Sequence, residues 1–340
     1  MLTTLKKYCD ALSPSGMEQE IRDIIIADIA PYCEYEVDPC GNLIAFKKGK
    51  KRRDKKVVFA AHMDEVGFMV SFIDEDGYIY FGEIGGIDRR VVSGRRVTFC
   101  ESGVKGVVAS KAIHLQPMSE RGICEPVSSM RIDIGCTSRE EAEKYVGIGD
   151  CCVFSPNYEE FGDGFIRSKA LDDRFGCAVL VSMIKEELEY DTYFAFNTCE
   201  EVGCDGALEV AYRLRPDIAV IIEATTAGDM PGTPKHRRAC ALREGAVLSF
   251  MDGGTIYNRP FFDYACKLAE EKGIKYQAKN VVAGGNEARA FQSTGSGAKV
   301  LAISAPTRYI HSESNVLCKD DITAVRDLAW AINEGSLENV

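Results

Sequence analysis

The chain has 340 residues, enough for about two domains at ~150 residues each. Hydrophobic residues make up 46% and charged residues 27%, an ordinary globular balance, and a net charge of −11 argues against a general nucleic-acid binder. No apolar run reaches the ~18 residues of a membrane span, and Met1-Leu2-Thr3-Thr4-Leu5-Lys6-Lys7 lacks the apolar core of a signal peptide.

The first segment reads helical, with Leu2, Leu5, Cys9 and Leu12 at helix spacing and Ser13-Pro14-Ser15-Gly16 as the break. Ser15, with Glu18 three residues on, is expected to cap a second helix carrying Ile21, Ile24, Ile25 and Ile29. Asp38-Pro39-Cys40-Gly41-Asn42 is a turn between short strands. The basic run from Lys47 to Lys56 reads as a solvated loop rather than a polyanion site. Val57-Val58-Phe59-Ala60-Ala61 is a continuous apolar run, as in a central strand covered on both faces.

From Ser71 to Arg167 the pattern changes to short strands and frequent glycines, such as Tyr78–Phe81, Arg96–Phe99 and Gly106–Ala109. This reads as an inserted small β domain over 71–167, with one short helix whose capping box is Ser138 and Glu141. From Ser168 onward helices and apolar strands alternate again. Helices are predicted near 173–188, 205–214, 261–272 and 320–334, and strands near 192–197, 218–222 and 299–303. The fold class is therefore α/β: a mostly parallel central sheet flanked by helices, formed by 1–70 and 168–340 and split by the β insert.

There are 14 cysteines and no Cys-x-x-Cys pair. Free thiols explain this better than a disulfide framework, so a cytoplasmic protein is expected. Cys199 abuts the acidic pair Glu200-Glu201 but has no local histidine partner, which weighs against a thiol nucleophile.

Polar residues of metal-binding type follow the predicted core strands. His62-Met63-Asp64-Glu65 follows the first, Glu200-Glu201 the second and Glu223 the third; His311 lies in the loop after the fourth. Asp172-Asp173, opening a helix, adds a fifth element. Each has an ordinary reading alone: a solvated Glu-Glu pair, an Asp N-cap, a satisfied histidine. Together they point to a metal site, because ligands in open α/β sheets gather at strand carboxyl ends. Two His and three carboxylates suit two divalent ions sharing one carboxylate. Zn²⁺ is the first choice, with Co²⁺ or Mn²⁺ as alternatives.

His62-Met63-Asp64-Glu65-Val66-Gly67, Lys169-Ala170-Leu171-Asp172-Asp173-Arg174-Phe175-Gly176, Glu200-Glu201-Val202-Gly203 and Arg308-Tyr309-Ile310-His311-Ser312 resemble the motifs of the di-metal aminopeptidases of the tetrahedral (TET) type. That family includes glutamyl and leucyl aminopeptidases and proteins often labelled endoglucanase M. The resemblance implies that His62 and Glu223 bind one metal, Glu201 and His311 the other, and that Asp172 bridges both. It makes Glu200 the general base and has Asp64 orient His62. It implies a cis peptide between Asp172 and Asp173, small peptide substrates, and an insert that mediates dimers assembling to dodecamers. The chain departs from the family at Glu223, where Asp is more usual, and at Asn286-Glu287, where the family has Thr-Asp.

The expected function is thus a metal-dependent aminopeptidase. The rivals are a related di-metal deacylase or carboxypeptidase, with Arg289 or Arg308 as a cationic clamp, and a degenerate scaffold without activity. A glycosidase is disfavoured, since its two carboxylates would already be committed to metals.

Overall fold

The computed structural model describes residues 1–338 and 340. An eight-stranded sheet forms the centre, in the order Glu34–Val37, Leu43–Lys47, Thr192–Asn197, Val57–His62, Ile218–Thr226, Lys299–Thr307, Ala246–Leu248 and Tyr276–Ala278. The four strands from Thr192–Asn197 to Lys299–Thr307 are mutually parallel. Their side chains alternate between two cores. Val57, Phe59 and Ala61 face the helices Leu2–Asp10, Gln19–Ile29, Leu171–Ile184, Arg259–Lys272 and Lys319–Glu334. Val58 and Ala60 face Asp205–Leu214 and Ala288–Ser293. Burial on both faces is why these strands read as unbroken apolar runs.

Two strands run further than their apolar cores. Ile218–Thr226 and Lys299–Thr307 keep pairing through Glu223↔Ser304 to Thr226↔Thr307. Glu223 therefore sits inside a strand rather than after it, because ladder hydrogen bonds do not require apolar side chains. Strand Thr192–Asn197 and helix Asp205–Leu214 lie where the sequence pattern puts them.

Ser15 does not cap the second helix. That helix starts at Gln19 without a side-chain cap, and Ser15 Oγ instead donates to Asp64 Oδ2 at 2.6 Å. Ser138 does cap its helix, accepting from the Glu141 amide, but Glu141 reaches back to the Thr137 amide rather than to Ser138. The basic run from Lys47 to Lys56 is a loop between strands, and several of its cations are used locally. Lys47 donates to the Tyr32 carbonyl, Arg53 to that of Asn333, and Lys55 to those of Leu337, Glu338 and Val340.

Between Gly67 and Phe154 the chain forms a closed six-stranded barrel, ordered Gly67–Ile73, Ile79–Ile84, Arg131–Asp133, Lys105–Ala109, Arg96–Phe99 and Cys151–Phe154. It has its own core, in which Phe68 meets Phe81 and Phe154 edge-on at 5.1 and 5.3 Å. Closure leaves it without open sheet edges. The strands Glu159–Phe161 and Phe165–Ser168 join Asn315–Cys318 in a separate three-stranded sheet. All 14 cysteines are free. Among the described residues no helix is long and apolar enough to cross a membrane.

Candidate metal centre and substrate cleft

The parallel strands end on one edge, and the titratable residues collect there. His62 closes the strand Val57–His62, opposite Asn197 of the neighbouring strand. Glu200 and Glu201 lie in the loop after Asn197, and Glu223 lies in the strand on the other side of Val57–His62. Asp172 opens the helix Leu171–Ile184, and its peptide bond to Asp173 is cis. His311, in a left-handed conformation with φ 56°, stands in the loop after Lys299–Thr307.

Asp172 is the centre of the cluster. Its Oδ1 lies 3.3 Å from His62 Nε2, and its Oδ2 lies 3.2 Å from His311 Nε2. Glu223 Oε1 is 3.5 Å from His62 Nε2, and Glu201 Oε2 is 3.1 Å from His311 Nε2. Two groups with metal-ligand spacing result: His62, Asp172 and Glu223, and Asp172, Glu201 and His311. Glu200 belongs to neither group, although its Oε2 approaches His62 Nε2 to 4.0 Å. All seven residues singled out in the sequence come together.

A second layer fixes these side chains. Asp64 is fully buried and lies 3.4 Å from His62 Nδ1. The same carboxylate accepts from the amides of Glu200 and Glu201, both at 3.1 Å, so one residue orients the histidine and holds the acidic loop. His311 Nδ1 lies 2.7 Å from the Gly86 carbonyl, which makes Nδ1 the protonated nitrogen and leaves Nε2 to face Asp172 and Glu201.

The charges are out of balance. Burial alone would lower the pKa of His62, yet Glu223, Asp172 and Asp64 hold it well above its ordinary value. Burial would also lower that of His311, but Asp172 and Glu201 raise it to about 10. Burial, with Asp172 nearby, pushes Glu201 and Glu223 well above the carboxylate range. Carboxylates outnumber the cations that could neutralise them. That imbalance and the mixed imidazole and carboxylate donors fit divalent cations with N/O preference.

Some contributing residues stand in stretches noted in the sequence, but nothing there signals the contacts they make. Glu65 lies beneath the cluster, paired with Lys169 at 2.7 Å and Arg174 at 3.2 Å. Glu18 accepts from the Gly16 and Cys199 amides. Glu287 is fully buried, accepts from Asn197 Nδ2 at 2.9 Å, and has its pKa raised by burial to about 8. Apart from Gly16, their partners lie tens of residues away or more, and only the fold brings them close. Cys199 donates to Glu18, and burial raises its thiol to about 12, so it is a poor nucleophile.

Two cavities meet at Glu200 and His311. One is open, about 790 Å³, and runs past Cys204, Leu208 and Arg289. The other is about 160 Å³ and reaches Asp172, Glu223, Thr225 and Lys279. Of the two arginines considered as carboxylate clamps, Arg308 is engaged by both oxygens of Asp229 at 2.7 Å. Arg289 is exposed on the wall of the open cavity.

A model of the M42 glutamyl aminopeptidase family matches residues 41–328. The chain is 30% identical over 341 residues to the lysyl aminopeptidase of Pyrococcus furiosus, covering 97% of this chain and 96% of that one. It superposes on a TET aminopeptidase from a marine-sediment Thaumarchaeota archaeon with a TM-score of 0.94 at 32% identity, covering 98% and 95% of the two chains. A TET1 peptidase of Pyrococcus horikoshii, which can assemble into a tetrahedron or a large octahedral shell, gives 0.86 at 33% identity and 98% coverage of each.

Proposed function

The chain belongs to the M42 glutamyl aminopeptidase family, and from that premise we propose that it is a metal-dependent aminopeptidase removing N-terminal residues from peptides. The observation that carries this is the split of Asp172, one oxygen toward His62 and the other toward His311. A carboxylate so placed is suited to bridge two cations. His62, Glu223 and Asp172 would hold one, and Asp172, Glu201 and His311 the other; Zn²⁺ is the first candidate and Co²⁺ or Mn²⁺ the alternatives. When bound, such ions polarise a carbonyl and lower the pKa of an attacking water.

Glu200 is left as the proton carrier. It lies at the junction of both cavities and is not needed as a ligand. It takes a proton from the attacking water and returns it to the leaving amine as the C–N bond breaks. Asp64 keeps Glu200 in place through the Glu200 amide. The acidic edge formed by Asp172, Glu200 and Glu223 favours a free α-ammonium, which restricts cleavage to chain ends.

The insert is proposed as the assembly domain of a homo-oligomer. The barrel region exposes Ile113, Leu115, Met118 and Ile123, an apolar set that a second copy would cover. Fourteen free thiols support a reducing, cytoplasmic setting.

Hydrolysis of aminoacyl-p-nitroanilides beside N-acetylated controls, after chelation and reloading with Zn²⁺ or Co²⁺, tests the reading. Metal-dependent cleavage of only the free-amine substrates is expected. Equal cleavage of the acetylated compounds would show that no free α-amine is needed and overturn the reading, and no cleavage despite bound metal would favour the deacylase or carboxypeptidase.

A further inference from the structure

Two cysteines bracket the acidic pair, and each engages a different acid. Cys199 Sγ donates to Glu18 Oε1 at 3.6 Å. Cys204 Sγ donates to Glu200 Oε1 at 3.4 Å. The loop is folded tightly enough to fix where Cys204 stands. The Gly203 amide donates to the Glu200 carbonyl at 3.0 Å, and the Cys204 amide is shared between the carbonyls of Cys199 and Glu200 at 3.0 and 3.1 Å. Cys204 takes a left-handed φ of 63° just before the helix Asp205–Leu214, a conformation uncommon outside glycine, and its side chain caps no helix amide. The residue is half-buried and lines the open cavity together with Glu200. Burial, with Glu200 nearby, pushes its thiol far up, so it stays an S–H donor. Glu200 is otherwise held only at its backbone, where Asp64 takes the amide. Among the described residues Cys204 is the one group that donates to Oε1, while Oε2 lies 4.0 Å from His62 Nε2.

We infer that Cys204 is a positioning residue for Glu200: its S–H holds Oε1, so that Oε2 is the oxygen presented to the attacking water. The inference rests on the aminopeptidase reading and adds to it the group that aims the proton carrier. A general base works only within hydrogen-bond reach of the proton it takes. A glutamate side chain has several rotatable bonds, and a fixed backbone amide does not by itself settle where its carboxylate points. The thiol supplies that missing constraint at the far end of the side chain. It has one hydrogen to give and is a weak donor, so it engages one oxygen and leaves the other free. Cys204 acts only through Glu200 and takes no part in the bond changes.

The test uses metal-loaded full-length protein and the best-cleaved aminoacyl-p-nitroanilide. Cys204→Ala removes the donor and little else. It should lower kcat by about 3- to 10-fold, the rate equivalent of one weak hydrogen bond, with KM and metal content at the parental level. Cys204→Ser restores a donor as O–H and should bring kcat back near the parental value. A residue that served packing alone would not separate kcat from KM in this way, nor would serine rescue it. Parental kcat in Cys204→Ala, or a Cys204→Ser variant as slow as Cys204→Ala, would overturn the inference. If no anilide is cleaved, the aminopeptidase reading fails, and infrared spectroscopy still decides the role of Cys204. The parent spectrum minus that of Cys204→Ser isolates the Cys204 S–H stretch. The same difference taken in a Glu200→Ala background should place that band at higher frequency, because hydrogen bonding to the carboxylate weakens the S–H bond. A band at one frequency in both backgrounds would reject the contact and the role with it.

Discussion

Glu65 Oε1 and Lys169 Nζ lie 2.7 Å apart, with the side chains only 3% and 1% exposed. Arg174 joins from the same carboxylate oxygen at 3.2 Å. Lys169 also donates to the Ala11 carbonyl, and Arg174 to those of Tyr8 and Ser13. One buried acid thus ties the loop after His62 to the N-terminal helix and to the segment bearing Asp172. Removing one partner strands the others: Glu65→Gln should destabilise the protein by about 3–5 kcal/mol. Urea unfolding of metal-free protein measures this, and a loss below about 1 kcal/mol would show that the network contributes little.

Asp64→Asn attacks the layer behind the ligands. Asparagine turns an acceptor into a donor facing the Glu200 and Glu201 amides and His62 Nδ1. Metal affinity should fall about 10- to 100-fold, as read by competition with a chelator. An unchanged affinity would mean that Asp64 does not orient His62.

Glu200→Gln separates proton transfer from metal holding. The amide fills nearly the same space but cannot accept a proton. Turnover should fall at least about 100-fold while metal content by mass spectrometry stays at the parental level. Parental activity in this variant would remove Glu200 from its assigned role.

Asp321 gives a pH signature away from the metal centre. Burial raises its carboxyl from 3.8 to about 6, against the amide donors of Arg243 and Gly245, which lower it. The folded state therefore binds this proton more tightly than the unfolded chain does. The associated stability is fully present below the unfolded value near 3.8 and is lost as pH rises through about 6. Asp321→Asn has no such titration. Its stability relative to the parent should improve as pH rises across that window, measured by denaturant midpoints. A flat difference across the window would contradict the assignment.

Chelation should lower the melting temperature, because cations that bind only the folded state stabilise it by mass action. Zn²⁺ at 100 times its Kd should add about 2.7 kcal/mol for each independent site. A melting temperature indifferent to chelator and Zn²⁺ would exclude a cation from the cluster.

The parts of the site that were readable share one property: they sit at the ends of apolar runs. His62 closes one strand, and Glu200 and Glu201 follow another, whose two-faced burial leaves an unmistakable pattern. Glu223 was equally visible, although the ladder carries the strand past it. The hidden residues act through partners distant in sequence. Glu65 stands in a recognised motif, but its bond to Lys169 spans 104 positions. Ser15 fits a capping pattern locally, and Asp64 claims it through a contact 49 residues away. Lys279 follows a short edge strand, where a lysine is ordinarily solvated, and only the surrounding walls show it to be enclosed. The barrel was legible as a β-rich change in texture. Its closure depends on non-neighbouring pairings, such as Gly67–Ile73 with Cys151–Phe154, that strand patterns do not encode.

The hydrogen bond from His311 to the Gly86 carbonyl links the two halves of the molecule's anatomy. Gly86 lies within the barrel segment, just after the strand Ile79–Ile84, whereas His311 lies in the loop after the central-sheet strand Lys299–Thr307. The barrel is therefore no detachable module. Excising it would spare every proposed ligand and still leave one imidazole free to rotate and change tautomer. A minimal version of this protein would need a substitute acceptor for that single N–H.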